Sequence, residues 1–171
     1  EAFDLSIGAI AALSLLIVNK IALETDLPQG IGVLIAMGAC LVIGWINGFI
    51  VVKLRVNSFI ATLGMSQVVA AIIRNIHDGG QINGELSDTY RSFGKGDIFA
   101  FDWPGTGSEI ALPWYFLYGL IITIIVYYVL EHTPVGRHMF ATGGNPEAAR
   151  LSGINTDRIT WGGLVASAAL A

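Results

Sequence analysis

Four long apolar segments constrain this chain more than any other feature of its sequence. They cover residues 5–23, 30–52, 58–76 and 114–130, and a further run over residues 159–171 reaches the last position. A helix needs about 20 apolar residues to cross a bilayer, and lipid offers the backbone no hydrogen-bond partners, so a spanning segment must be a helix or part of a closed barrel. Barrel strands alternate polar and apolar residues over about 10 positions, and these runs do not alternate. The sequence therefore predicts an all-α, polytopic transmembrane helical bundle.

The composition favours a membrane protein. Charged residues make up 13% of the chain and hydrophobic residues 54%, whereas about 25% of the residues in an average soluble domain are charged. The net charge of −4 comes with no basic patch in the sequence, so no nucleic-acid partner is indicated. Because the first residue adjoins an apolar run and the run over 159–171 is too short to span, we expect a fragment of a longer membrane protein.

The charges of the connecting loops predict an orientation. The short loop KLRVN carries Lys53 and Arg55, whereas the preceding loop, ETDLPQ, is acidic. Basic residues in short loops favour the cytoplasmic side. Alternation of the spans then places residues 131–158 in the cytoplasm and the long polar loop over residues 77–113 outside.

Small residues recur at every fourth position along the second segment. They share one helix face and would let the backbone of another helix approach closely. The alternative is chance in a chain with many glycines. We predict tight packing inside a multi-helix bundle for this small-residue stripe, which consists of Gly32, Ala36, Cys40, Gly44 and Gly48.

The third segment is more polar than the other three. Polar side chains within a membrane usually face the bundle interior or a water-filled cavity. In this segment Ser58, Thr62 and Ser66 lie four residues apart and therefore share one helix face. Hydrogen bonding between helices is the alternative role. With an asparagine of the second segment, the candidates for a translocation path are Asn47, Ser58, Thr62, Ser66 and Gln67.

Other polar residues indicate no catalytic, metal or nucleotide site. His132 and His138 lack the spacing of a metal site, and the stretch TGGNP lacks the Lys-Ser/Thr that completes a phosphate-binding loop, so no cofactor is expected on this chain. At the start of the first apolar segment, Asp4 or Ser6 is expected to cap the first helix and nothing more.

A short helix is predicted within residues 145–153, between two apolar runs. Asn145 suits the N-cap, Pro146 the first helical position and Gly153 the position just after the last turn. Because an isolated helix of about seven residues is marginal in water, it needs a surface on which to dock. An ordinary interfacial helix is one alternative, and a groove on a soluble partner is the one we favour. The candidate contact residues are Gly144, Asn145, Glu147, Ala148, Ala149, Arg150, Leu151 and Gly153.

Four separated motifs resemble the permeases of ribose/xylose-type ABC importers. The stretch GRHMFATGGNPEAARLSGI resembles their cytoplasmic loop, and DLSIG resembles the start of one of their helices. The stretches INGFIVVKLRVNSFIATLGM and HDGGQI follow in the family order, with Asn57 where the family usually has proline.

The resemblance implies a subunit of roughly ten helices in the bacterial inner membrane. Two such subunits would form the path for a sugar, two ATPase subunits would bind inside, and a soluble sugar-binding protein would deliver the substrate outside. ATP would then be hydrolysed on the partner, and residues 144–154 would be the coupling helix that contacts it. A secondary transporter or a channel subunit is the alternative.

Overall fold

The computed structural model describes residues 2–25, 27–77, 96–102 and 109–171. These residues fall into two compact units, one built from residues 1–84 and 137–171 and the other from residues 85–136. The two units are described separately.

The described residues form seven helices and one two-stranded hairpin. In chain order, the elements are α1 (Ile7–Glu24), α2 (Gln29–Val52), α3 (Ser58–His77), β1 (Asp97–Asp102), β2 (Glu109–Pro113), α4 (Trp114–His132), α5 (Pro134–Gly144), α6 (Pro146–Leu151) and α7 (Thr156–Leu170). Within the described part, α1 to α4 are long and apolar enough to cross a membrane. The prediction of an all-α transmembrane bundle is confirmed, and the small antiparallel hairpin lies in the region predicted as an external loop.

The first unit is organised around α2, which packs against α1, α3 and α7. Its core draws apolar side chains from all four of these helices, namely Ile10, Leu13, Cys40, Ile43, Val69 and Ala168. Lys20 Nζ near the end of α1 donates to the carbonyl oxygen of Ile76 near the end of α3, at 3.0 Å. The two helices therefore run in the same direction, as two spans separated by one returning span do.

The small-residue stripe of α2 lies against two different helices. A Cβ atom built on Gly32 would lie 3.4 Å from Ile21 Cβ of α1. A Cβ atom on Gly44 would lie 2.6 Å from Ala168 Cβ of α7, and one on Gly48 would overlap the ring of Trp161. Gly44 thus meets Ala168 near the end of α7, whereas Gly48, later in α2, meets Trp161 near the start of α7. The two helices are therefore antiparallel.

The middle of the stripe is buried in the bundle. Ala36 and Cys40 are both buried, and Cys40 belongs to the core described above. The orientation of α7 also means that it starts at the same end of the unit as the basic turn with Lys53 and Arg55, where α2 ends and α3 begins.

Helix α5 was missed in the sequence, where residues 131–158 were expected to form a loop with a single short helix. The local signal is nevertheless present, because Pro134 occupies the first helical position and Thr133 Oγ1 accepts a hydrogen bond from Gly136 N at 3.4 Å. Gly144, predicted as a coupling residue, is the last residue of α5. The loop therefore holds two consecutive helices rather than one.

In the second unit, the hairpin leads directly into α4. Phe101 pairs with Ile110 and Asp102 with Glu109 in the antiparallel ladder. Within the described part of the chain, no residue of α4 is buried. Since α4 is apolar along its whole length, its surface is suited to lipid or to another protein segment.

Candidate functional site

An irregular segment, residues 2–6, precedes α1 and lies beside the start of α3. Its backbone is not helical, so its polar groups need partners from elsewhere in a chain that crosses a membrane. Phe3 N donates to Ser58 Oγ and Leu5 N to Thr62 Oγ1, each at 3.0 Å. The Thr62 hydroxyl in turn donates to the carbonyl oxygens of Ser58 at 2.8 Å and Phe3 at 3.2 Å. Two side chains of α3 thus satisfy the backbone of this N-terminal segment.

The carboxylate of Asp4 joins this segment to two further helices. Its Oδ1 accepts hydrogen bonds from Ser6 N at 2.9 Å and Ser6 Oγ at 2.6 Å. Its Oδ2 accepts a hydrogen bond from Ser167 Oγ of α7 at 2.7 Å. Ser6 Oγ also accepts from Asn47 Nδ2 of α2, at 2.9 Å. Hydrogen bonds to a charged acceptor are shorter and stronger than those between neutral groups, so this cluster ties α1, α2 and α7 together.

The expected capping role of Asp4 and Ser6 differs from what the structure contains. Ser6 occupies the N-cap position of α1 but its side chain caps no helical N–H group. Its hydroxyl is used instead for the contacts with Asp4 and Asn47. The sequence correctly placed the start of α1 at Ser6. The side chains of Asp4 and Ser6, however, form hydrogen bonds between helices instead of capping α1.

The five path candidates separate into two groups. Asn47 and Thr62 are 0% exposed and Ser58 is 8% exposed, and all three bond to other protein groups. Asn47 and Thr62 make hydrogen bonds to the N-terminal segment, which is the interhelical alternative that the sequence left open. Ser58 also bonds to this segment, and it lines a separate cavity of about 240 Å³. Gln67 is exposed on α3, whereas Ser66 is half-buried and its hydroxyl donates to the carbonyl oxygen of Leu63 at 2.7 Å.

A cavity of about 410 Å³ lies between the N-terminal segment, α5 and α7. Its apolar wall includes Phe3, Met139 and Leu164, and its polar wall includes Asp4 and Ser167. The cavity thus brings a carboxylate and a hydroxyl, both absent from the sequence-based site candidates, to one surface. Within the part of the chain that is described, no group of His, Cys, Asp and Glu residues could hold a metal ion.

Helix α6 begins and ends at the residues that the sequence indicated. Asn145 Oδ1 accepts a hydrogen bond from Ala148 N at 3.1 Å. At the other end, Gly153 has a φ angle of 84°, which favours glycine. Gly153 N donates to the carbonyl oxygen of Arg150 at 2.9 Å and Ile154 N to that of Ala149 at 3.0 Å. This pair of bonds is the Schellman arrangement, which satisfies the last carbonyls of a helix.

Arg150 fastens α6 to the start of α7. Its Nε donates to Thr156 Oγ1 at 2.7 Å and its NH2 group to Asp157 Oδ1 at 3.0 Å. These contacts direct the guanidinium towards α7. Thr156 and Asp157 carried no sequence signal for this contact, since it depends on the turn between the two helices.

The coupling candidates differ in exposure. Ala149 is only 4% exposed, whereas Leu151 is 90% exposed and Ala148 is also exposed. Ala149 therefore faces the chain itself and is unavailable to a partner. The surface that α6 offers consists of Ala148, Leu151 and the exposed side chains beside them.

A family model described as "Branched-chain amino acid transport system / permease component" matches residues 1–171. The chain belongs to this family. No solved structure matched it.

Curated permeases from several bacteria are similar to this family member. It is 33% identical over 157 residues to the ribose import permease protein RbsC of Escherichia coli (strain K12), which covers 91% of this chain and 46% of that protein. It is 31% identical over 164 residues to the fructose import permease protein FrcC of Rhizobium meliloti, covering 91% of this chain and 42% of that protein. It is 34% identical over 140 residues to the galactose/methyl galactoside import permease protein MglC of Escherichia coli (strain K12), covering 80% of this chain and 40% of that protein.

This permease-family chain spans about half the length of the curated relatives that it matches. The resemblance to ribose/xylose-type permeases is confirmed by these matches. The predicted location, a multi-pass protein of the bacterial inner membrane, is confirmed by the permease relatives together with the four candidate spans.

Proposed function

We propose that this chain is part of the membrane-spanning permease subunit of an ATP-driven sugar importer. Support comes from relatives that import ribose, fructose, and galactose or methyl galactoside. The chain contributes to the translocation path and is not itself an enzyme, since ATP is hydrolysed on a partner ATPase. A second permease subunit and an external sugar-binding protein complete the assembly.

The observation that carries the coupling proposal is the exposure of Leu151 on a helix that is capped at both ends. A six-residue helix is too short to persist by propensity alone, yet α6 is fixed by Asn145, by Gly153 and by the contact of Arg150 with α7. It presents a large apolar side chain that nothing in the described chain covers. In our proposal residues 131–158 face the cytoplasm, and α6 inserts Leu151 into a groove on the ATPase.

The test replaces the exposed residues of α6 in the intact permease. Leu151→Gln removes the apolar anchor but keeps a good helix former, and burial of a leucine contributes about 1.5–3 kcal/mol. Ala148→Glu places a carboxylate that loses hydration on docking, at a cost of roughly 2 kcal/mol. Each variant should weaken association with the ATPase by about tenfold or more and lower sugar uptake into vesicles.

Ala111→Glu in β2 is the matched control, because it introduces the same side chain at an exposed position of the other unit. ATPase should co-purify with the control variant as it does with the unchanged permease. Undiminished co-purification and uptake in both α6 variants would show that α6 is not the coupling element. If no ATPase associates with the unchanged protein, the alternative of a secondary transporter or channel subunit takes its place.

Two of the predicted path residues remain part of the proposal. Gln67 is exposed on α3 and Ser66 beside it is half-buried, and polar groups in a transmembrane helix favour a water-filled surface over lipid. We assign this face of α3, rather than Asn47, Ser58 and Thr62, to the translocation path.

A further inference from the structure

We propose that the cavity between the N-terminal segment, α5 and α7 binds one monosaccharide, with Asp4 and Ser167 accepting hydrogen bonds from its hydroxyl groups. This inference rests on the proposed function as a sugar permease and names a binding site within it. The volume of about 410 Å³ falls within the range of about 300–1,000 Å³ that is typical of small-molecule sites.

The hydrogen-bonding capacity of Asp4 is not exhausted by the protein. A carboxylate oxygen accepts about two hydrogen bonds. Oδ1 already accepts two, both from Ser6, whereas Oδ2 accepts only the bond from Ser167 among the described contacts. Ser167 Oγ donates its proton to Asp4 and keeps its lone pairs. Two acceptors 2.7 Å apart therefore stand side by side at the cavity wall, which suits two hydroxyl groups on adjacent carbons of a sugar.

The rest of the wall fits the other surfaces of a sugar. Phe3 is 59% exposed and lines the cavity, and its ring offers an apolar surface to the C–H face of a pyranose or furanose. Thr160 lies two helical turns before Ser167 on the same face of α7 and adds a further hydroxyl to the wall. A few polar groups in a mainly apolar wall are the composition expected of a small-molecule site.

The described contacts of Asp4 include no basic side chain. No basic side chain is among the residues that line the cavity, and the salt bridges of the described residues use Lys20 and Arg150, not Asp4. A neutral asparagine or serine would suffice to hold the turn at Ser6. A carboxylate binds hydroxyl donors more strongly than either.

The experiment measures protection of a cysteine in the cavity wall of the intact permease, assembled with its ATPase. The reporter is Gly163→Cys in a Cys40→Ala background, since a Cβ atom on Gly163 meets only Met139 Cε, at 3.8 Å. The probes are D-ribose, D-fructose and D-galactose, with L-leucine as the control for an amino-acid substrate. Saturating sugar should slow modification by a small water-soluble maleimide several-fold, and L-leucine should not. Adding Asp4→Asn or Ser167→Ala should raise the half-protecting sugar concentration by about tenfold.

A second reporter, Met139→Cys on the facing wall, serves if the first variant does not assemble. If neither reporter is protected by any of the sugars while vesicles still take up sugar, the cavity is not a sugar site and the proposed function stands. Protection that is unchanged in Asp4→Asn and Ser167→Ala removes these two residues from the site. Protection by L-leucine alone overturns the substrate class. Absence of both sugar uptake and ATPase association in the unchanged assembly overturns the proposed function itself.

Discussion

Replacing Gly44 by alanine, with Gly38→Ala as the matched control, tests the packing of α7 on α2. Both glycines lie in the same helix, so the gain of about 0.5–1 kcal/mol from placing alanine rather than glycine in a helix is common to both. Gly38 is exposed, and a Cβ atom there meets nothing within 4 Å. The difference between the two variants therefore reports the contact at Gly44 alone.

The size of that difference follows from the atoms around Gly44. A Cβ atom there would lie 2.6 Å from Ala168 Cβ, 3.0 Å from Leu164 O and 3.0 Å from Val165 Cα. None of these atoms is the end of a flexible side chain, so α7 must move away from α2 as a whole. Overpacking of this kind costs about 1–3 kcal/mol, and we expect Gly44→Ala to be less stable than Gly38→Ala by that amount. Gly44→Leu should lower the folded yield still further.

The assay is equilibrium unfolding of the purified protein in mixed detergent micelles, followed by tryptophan fluorescence. Trp45 and Trp161 have ring centroids 5.5 Å apart at the contact between α2 and α7, so their emission reports separation of the two helices. Equal unfolding free energies for the two variants would falsify the placement of α7 against the small-residue stripe.

Three further predictions concern other positions, of which Ser87 lies outside the described residues and was chosen from the loop charges alone. In intact cells, an impermeant thiol reagent should modify Ser87→Cys and spare Ser152→Cys; the opposite pattern would reverse the predicted orientation. Ser66→Trp should leave assembly intact and reduce sugar uptake, since a bulky ring would obstruct the proposed path, and normal uptake would remove this face of α3 from it. Ala149→Glu should destabilise the folded chain by about 1–3 kcal/mol because Ala149 is buried, whereas Ala148→Glu should change its thermal unfolding midpoint little.

The helices that are marked in the sequence by a long apolar run or by capping residues at their ends could be predicted. The four long apolar runs became α1 to α4, and Asn145 and Gly153 bound the short helix α6. These features are local, because lipid imposes a length on each span and caps act within one turn. Helix α5 was overlooked although its start is also marked locally, by Thr133 at the cap and Pro134 at the first helical position. No long apolar run follows these two residues, so hydrophobicity did not indicate a helix there.

The candidate site depends on contacts that no local pattern specifies. Asp4 and Ser167 are 163 positions apart in the sequence yet share a hydrogen bond, and Asn47 reaches Ser6 from a different helix. The polar face of α3 was recognised, but its members could not be divided into buried and exposed ones, because burial there depends on where the N-terminal segment lies. Arg150 likewise had two acidic neighbours within reach, and only the turn before α7 decides in favour of Asp157.

In the proposed coupling, motion of α6 would reach the membrane through that turn. The salt bridge between Arg150 and Asp157 is more than half exposed on both sides, so it contributes at most about 1 kcal/mol and cannot by itself carry a mechanical load. The backbone is better suited to do so. Ile154 N bonds back to α6 at the carbonyl oxygen of Ala149, at 3.0 Å, while Asn155 Oδ1 caps α7 by accepting from Arg158 N, also at 3.0 Å.

With a cap on each side, the connection between α6 and α7 is a fixed corner rather than a free linker. Helix α7 lies along α2 through Gly44 and Gly48, and its Ser167 bonds to Asp4 at the cavity wall. If α6 is the coupling helix, as proposed, its displacement would therefore pass to α7 through this corner. The Ser167–Asp4 hydrogen bond, at the other end of α7, is the contact in the proposed sugar site on which such a displacement would act most directly.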